Sequence, residues 1–312
     1  MSDWSQTDAP LAPGLYIVAT PLGHARDITL RALDVLAAAN AIYCEDTRVS
    51  GKLMARYGIA TPRYAYHEHN AQRMRPKILH RLAEGAALAL ISDAGTPLVS
   101  DPGLPLVRAA RAAGHNVFAV PGASAPIAAL SIAGLATDRF SFAGFLPPKK
   151  QARQTALQEL SGAPGTLVLF ESANRLAALM ADIAAVTPQR EVVIARELTK
   201  KFEEVISGTA EDLAARLAAM PVKGECVVLL SALPSDKLDA AEMDAALKDA
   251  LAGNSLRDAV QMVMAAYGLP KKAVYARALA LSNKKRKSKQ EKEADAGNEQ
   301  EENIANAPPQ DG

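Results

Sequence analysis

An apolar run over residues 86–91 breaks into Ser92-Asp-Ala-Gly-Thr-Pro-Leu-Val-Ser-Asp-Pro-Gly103, and residues 104–113 then read as a helix stopped by Gly114. A buried strand, a loop rich in glycine and proline, and a helix make half of a βαβ unit, which demands a parallel sheet. In open parallel sheets, ligands bind in such loops at the carboxyl ends of the strands. Asp101 is expected to cap the helix, with Pro102 in its first position and Gly114 at its end. That leaves Asp93-Ala94-Gly95-Thr96-Pro97 without a structural purpose. A carboxylate, backbone groups bared by Gly95 and a stiff Pro97 suit a small polar ligand. On loop chemistry alone a plain turn accounts for them equally well.

The same rhythm fills the first 134 residues. Residues 15–19, 41–44, 63–66, 86–91 and 116–120 read as strands, each followed by a helix. Asp27 is expected to cap the first helix and Ser124 the fifth. The third is expected to begin near Pro76, since proline is tolerated in a first turn. This is the pattern of a parallel sheet covered on both faces. Beyond residue 140 the strands crowd together, at 140–146, 166–170, 191–195, 202–206 and 225–230, as in a mixed sheet. The fold class is therefore α/β: a doubly wound parallel domain over 14–134 and a mixed-sheet domain over 135–232, facing each other across a cleft. Residues 240–282 read as three helices, either a helix-turn-helix module or a packed appendage. Residues 1–13 are expected to be flexible. The tail, 283–312, is basic at Lys284-Lys-Arg-Lys and then acidic, and is expected to be disordered.

Hydrophobic residues make up 49% of the 312, enough to fill two cores. Thirty-five basic residues against 34 acidic ones leave a net charge of +1. Any contact with nucleic acid must therefore use a local patch. Cys44 and Cys226 lie far apart and outside any C-x-x-C pattern, so they read as buried thiols of a reducing compartment. The N-terminus lacks a signal-peptide pattern, and no apolar run approaches the ~20 residues of a membrane span. A cytoplasmic protein with no membrane partner is expected.

Several chemistries are excluded by missing motifs. There is no GxxxxGK[ST] phosphate loop, no Gly-x-Ser-x-Gly elbow, and no GxGxxG after the first strand, where only Thr20-Pro-Leu-Gly23 stands. His67 and His69 are too close for the H-x-x-x-H zinc pattern, and no metal is expected. What remains is charge at strand ends: Glu45, Asp46 and Arg48; Arg196, Glu197 and Lys200; Glu171 and Arg175. Each group alone reads as a solvated turn or an ion pair. Gathered around one cleft, mixed acid and base suit binding and group transfer better than hydrolysis.

Eight segments carry a resemblance. They are residues 15–29 (LYIVATPLGHARDIT), Cys44-Glu-Asp-Thr-Arg48, Glu68-His-Asn70, the long 92–103 stretch, Pro121-Gly-Ala-Ser-Ala125, Gly144-Phe-Leu-Pro147, Phe170-Glu-Ser172 with Arg175, and Ala195-Arg-Glu-Leu-Thr-Lys200. In this order they resemble the ribosomal small-subunit RNA (cytidine-2′-O)-methyltransferase branch of the tetrapyrrole methylase family. Residues 240–281 resemble that branch's helix-turn-helix extension. The chain departs from the usual pattern at His24, Ala71, Ala123 and Ala173-Asn174.

The resemblance implies two α/β domains with S-adenosylmethionine folded into the cleft between them, in a homodimer. The donor would be held by Pro21, Leu22 and Gly23, by Asp93, Ala94, Gly95, Thr96 and Pro97, and by Gly122, Ser124 and Ala125. Phe170, Glu171 and Ala195 would help from the second domain. The acceptor would be the ribose 2′-hydroxyl of a cytidine in the decoding region of 16S rRNA, within the assembled 30S subunit. Glu45, Asp46 or Glu197 would assist the proton, and Arg48, Arg196 or Lys200 would orient phosphate or the developing alkoxide. Two other readings stay open: C-methylation of a tetrapyrrole ring, and a non-catalytic S-adenosylmethionine-binding module.

Overall fold

The structure is a computed structural model that describes residues 10–220, 222–232, 240–267 and 274–283. Five strands, β1 (Gly14–Val18), β2 (Ala41–Cys44), β3 (Arg63–Ala65), β4 (Ala87–Leu90) and β5 (Val117–Val120), pair only in parallel, in the order β3-β2-β4-β1-β5. Side chains alternate across this sheet. Tyr16, Val18, Ile42 and Ala89 face α1 (Leu30–Ala38) and α2 (Thr47–Arg56), which contribute Leu33, Leu36 and Met54. Leu15, Tyr43, Leu88 and Leu90 face α3 (Glu68–Ala83) and α4 (Leu104–Ala112), which contribute Ile78, Leu82 and Leu106. The crossovers that leave the neighbouring strands β1 and β4 thus take opposite faces. The gap between those two strand ends is the switch point at which open sheets hold ligands.

The second sheet has the order β6-β7-β10-β8-β9, from β6 (Phe140–Phe145), β7 (Thr166–Ser172), β8 (Val192–Arg196), β9 (Glu204–Gly208) and β10 (Glu225–Leu230). Only β6 and β7 run parallel, so the sheet is mixed as expected. One face is covered by α6 (Lys150–Ser161), α7 (Ala173–Val186) and α8 (Ala210–Ala219). The other receives α5 (Ala125–Ile132), whose Ala129 and Leu130 pack on Val168, Val193 and Val227. By rhythm α5 closes the first domain, yet it is buried against the second, and so it locks the two together. Between α6 and α7 lies a buried ion pair. Arg153 donates to Asp182 at 2.6 and 2.7 Å with side chains 6% and 3% exposed, and Gln154 donates to the other Asp182 oxygen at 2.8 Å.

Residues 240–283 form a separate unit. In it α9 (Ala240–Gly253), α10 (Leu256–Tyr267) and the helical stretch 274–283 share a core of Leu247, Val260, Val263, Val274 and Ala278. The Ser255 hydroxyl accepts from the Asp258 N–H and so caps α10. Residues 1–9 and 284–312, where flexibility and disorder are expected, lie outside the described residues. Among the described residues no helix is long and apolar enough to cross a membrane.

Several caps differ from expectation. Thr29, not Asp27, caps α1 by accepting from the Ala32 N–H, because Asp27 belongs to a short 3-10 turn ahead of it. α3 begins at Glu68, where the Asn70 side chain accepts from the His67 N–H at 3.0 Å. Pro76 therefore sits inside α3, tolerated because the Gln72 carbonyl it leaves unpaired lies on the exposed side of the helix. Ser124 precedes α5 but makes no capping bond. Asp101 caps nothing: Gly103, at φ +141°, occupies the cap position of α4, and Pro105 rather than Pro102 lies in the first turn.

Candidate active site

The carboxyl ends of the parallel strands are tied into one rim. After β1, the Thr20 backbone exchanges hydrogen bonds with Gly95 at 2.8 and 2.9 Å, and its hydroxyl donates to the Ser92 carbonyl at 3.0 Å. Both backbone groups of Gly95 are thereby consumed, so the expectation that it bares them to a ligand is corrected. What Gly95 contributes is a left-handed turn at φ +80° and room for Leu22, whose side chain would meet a Cβ at 3.2 Å. The Thr96 hydroxyl donates to the Ala123 carbonyl at 2.9 Å, fastening this loop to the one after β5. Asp93 accepts from the Asp46 N–H at 3.1 Å, fastening it to the end of β2.

The second sheet closes the opposite wall. Phe170 at the end of β7 meets Phe142 and Phe145 edge-on, with ring centroids 4.9 and 5.5 Å away. Glu171 is fully buried, and Arg175 pairs with its Oε2 at 3.0 Å while donating to the Leu146 carbonyl at 2.7 Å. Lys200 bridges Glu197 and Glu225 at 2.9 and 3.0 Å. The walls touch directly. The His24 N–H donates to the Thr199 hydroxyl at 3.0 Å, a Cβ on Gly23 would strike Lys200, and one on Gly144 would come within 2.9 Å of the Ser100 hydroxyl.

Between the walls lies a cavity of about 460 Å³, within the ~300–1,000 Å³ range of small-molecule sites. Four non-glycine residues among those described hold a left-handed backbone: Leu98, Ser100, Glu197 and Thr199. All four lie in the two loops that face each other here. Such conformations cost roughly 1–2 kcal/mol each, and strain gathered in one place is characteristic of functional sites.

Charge in the cavity is divided. Glu45, Asp93 and Asp101 all face it, and burial raises the pKa of each. Asp101 is pushed up to about 6 by burial, with the Ser92 hydroxyl pulling back and the charges of Glu45 and Asp93 pushing further. On the other side, the hydrogen bond from Lys200 lowers Glu197. Outside the cavity, the Arg48 side chain holds Asp46 down at about 2.

Of the residues expected to hold a donor, Leu22, Asp93, Ala94, Gly95, Thr96, Ser124, Ala125, Phe170 and Glu171 line this cavity. Pro21, Gly23, Pro97, Gly122 and Ala195 do not. Gly122 is packed so closely that a Cβ would meet Ala19 at 2.9 Å, and Ala195 is wholly buried in the second sheet. Of the residues expected to act in catalysis, Glu45, Glu197 and Lys200 line the cavity. Asp46 instead caps α2 and pairs with the exposed Arg48, and Arg196 pairs with Glu204 on β9. Asp101, Ser100, Phe145 and Glu225 line it without having been singled out as site residues. Asp101 was legible as a polar loop residue, but its place before Pro-Gly mimics a helix cap.

Residues 14–214 match the pattern of the tetrapyrrole (corrin/porphyrin) methylases, and the two facing sheets with a cleft at their ends are the architecture of that class. Among solved structures, diphthine synthase superposes with a TM-score of 0.57 at 16% identity, over 70% of this chain and 89% of its own. The uroporphyrin-III C-methyltransferase of Thermus thermophilus in complex with S-adenosylhomocysteine gives 0.50 at 20%, over 70% and 97%. These likenesses establish the fold. Sequence relatives are nearer. The ribosomal RNA small subunit methyltransferase I of Mesorhizobium japonicum is 48% identical over 276 residues, 88% of this chain and 94% of its own. That of Haemophilus influenzae is 43% identical over 272, covering 85% and 96%. Residues 237–282 match the RsmI C-terminal helix-turn-helix domain. The chain belongs to the ribosomal RNA small subunit methyltransferase I family.

Proposed function

We propose that this chain transfers a methyl group from S-adenosylmethionine to small-subunit rRNA, at the ribose 2′-oxygen of a cytidine in the decoding region of the assembled 30S subunit. Its working form is a homodimer, as the family resemblance implies. The observation that carries the reading is a single cavity in which the carboxylates of Glu45, Asp93 and Asp101 stand opposite the aromatic wall of Phe145 and Phe170. The fit to the donor is chemical. A sulfonium and an ammonium call for carboxylates, and a flat adenine calls for aromatic surface. Glu171 adds a buried oxygen, Oε2, that accepts no hydrogen bond and is held only by its ion pair.

S-adenosylmethionine supplies an electrophilic methyl group with a neutral thioether leaving group. The chain's residues have the remaining work: alignment of oxygen with methyl, exclusion of water, and removal of a proton from a weakly acidic hydroxyl. A general base works best with a pKa near the operating pH. Asp46 and Glu197 are held too low, whereas Asp101 at about 6, with Glu45 beside it, fits the task. Lys200, anchored between Glu197 and Glu225, is placed to steady the developing alkoxide. The Asp93 carboxylate serves the donor's cationic end.

Methyl-labelled donor and purified small subunits test the reading. Label is expected on a cytidine ribose, read as an alkali-resistant dinucleotide. Label on a base, or on a uroporphyrinogen in place of rRNA, overturns it. Asp93→Ala is expected to weaken donor binding about tenfold or more, the worth of a charge-assisted contact. Calorimetry of donor binding checks this, and unchanged affinity removes Asp93 from the site.

A further inference from the structure

An anionic cavity repels a polyanionic substrate, and a net charge of +1 offers the chain no general attraction for RNA. Attraction must come from a patch, and the first domain has one on a single face. Together α3 and α4 carry Arg73, Arg75, Lys77, Arg81, Arg108 and Arg111 against one carboxylate, Glu68. The two helices lie side by side on the same face of the parallel sheet. Arg81 is engaged, donating to the Tyr43 hydroxyl at 3.2 Å. Arg73, Lys77, Arg108 and Arg111 are exposed, and among the described residues none has a carboxylate within ion-pairing distance.

Placement gives the patch a purpose. Both helices start at the cavity rim. His67 and Glu68, at the start of α3, lie close enough to Glu45 to act on its carboxyl, and α4 begins directly after the Asp101 loop. At 1.5 Å per helical residue, Arg73 and Arg108 lie ~8–9 Å along their helices from that rim, and Arg111 and Lys77 ~12–15 Å. Packed helices run 8–10 Å apart, so the four cations form a two-row track that leads away from the mouth of the site.

We propose that this outer face of α3 and α4 docks the phosphate backbone of the rRNA flanking the target nucleotide. The proposal rests on the rRNA reading above. The positive track holds the polyanion while the negative cavity admits only the ribose to be methylated. Arginine and lysine on phosphate give affinity and register without reading sequence.

The test compares wild type with two fourfold variants, Arg73, Lys77, Arg108 and Arg111 each changed to Glu or each to Gln. Binding to purified small subunits is measured across a salt series, alongside donor binding. In the Gln variant, subunit affinity is expected to fall at least tenfold at physiological salt. The slope of log affinity against log salt should flatten by about 0.7–0.9 per lost phosphate contact. The Glu variant should lose more, with donor affinity unchanged in both. Equal binding by variants of an active wild type overturns the docking face alone. So does an equal loss on reversing the exposed pair Lys149→Glu and Lys150→Glu, since the effect would then be general charge. A wild type that binds no subunit overturns the rRNA reading and this proposal with it.

Discussion

Asp101→Asn is expected to make the protein more stable at neutral pH and at least about a hundredfold slower in methyl transfer. The stability half follows from linkage. The carboxyl sits at about 6 in the folded protein against 3.8 ordinarily, so the folded state holds this proton more tightly than the unfolded chain. That advantage is complete below pH 3.8 and disappears as pH rises toward 6, above which the buried carboxylate destabilises the fold. A shift of this size is worth ~3 kcal/mol in a dry site, and about 1 kcal/mol once solvent screening of this partly buried group is allowed for. Urea midpoints should therefore diverge between variant and wild type at pH 7.5 and coincide near pH 4. The rate half follows from the role of base, worth roughly 10²–10⁴. The wild-type kcat/KM profile should rise through a limb near pH 6 that the variant lacks. A variant as fast as wild type removes Asp101 from the chemistry, whatever its stability.

Arg153→Ala carries the largest expected loss of stability. Arg153 and Asp182 are sealed between α6 and α7, and every Asp182 contact described above comes from Arg153 or Gln154. Removal of the guanidinium strands a carboxylate in the core, at a cost of about 3–5 kcal/mol. At ~2–4 °C per kcal/mol for a unit of this size, the melting temperature should drop by some 6–20 °C. The double change Arg153→Met with Asp182→Leu removes both charges and should recover most of the loss, because the instability comes from the orphaned charge. A double variant no better than the single one would place the damage in packing instead.

Asp101 and the Arg153–Asp182 pair also mark what could be read from sequence. The strands are legible because apolar runs such as residues 87–90 and 226–230 admit few other readings, and the alternation of the first five with helices implies the parallel sheet. The helix-turn-helix reading came from three amphipathic segments with short turns. Asp101 reads as a helix cap because an aspartate before Pro-Gly has the chemistry of one. Only the left-handed turns at Leu98 and Ser100, which no local propensity announces, swing it into the cavity. Arg153 and Asp182 give no signal in the sequence, because their pairing across 29 residues is a tertiary fact. The same holds for Phe145 and Glu225, brought to the cavity by strands adjoining β7. Gly95 serves the site by shaping the turn, because its backbone is already spoken for by Thr20.

The bond from His24 to Thr199 spans 175 residues of chain. Contacts of such separation close late in folding, because the entropy of a long loop must be met before they form. During synthesis the parallel sheet can complete while the second wall has yet to leave the ribosome. A nascent chain that ends before Phe140 carries one wall of the cavity and lacks Lys200 and both carboxylates that hold it. The timing of translation therefore sets the timing of competence: an enzyme directed at ribosomal RNA stays inert beside the ribosome that makes it until its second sheet has closed.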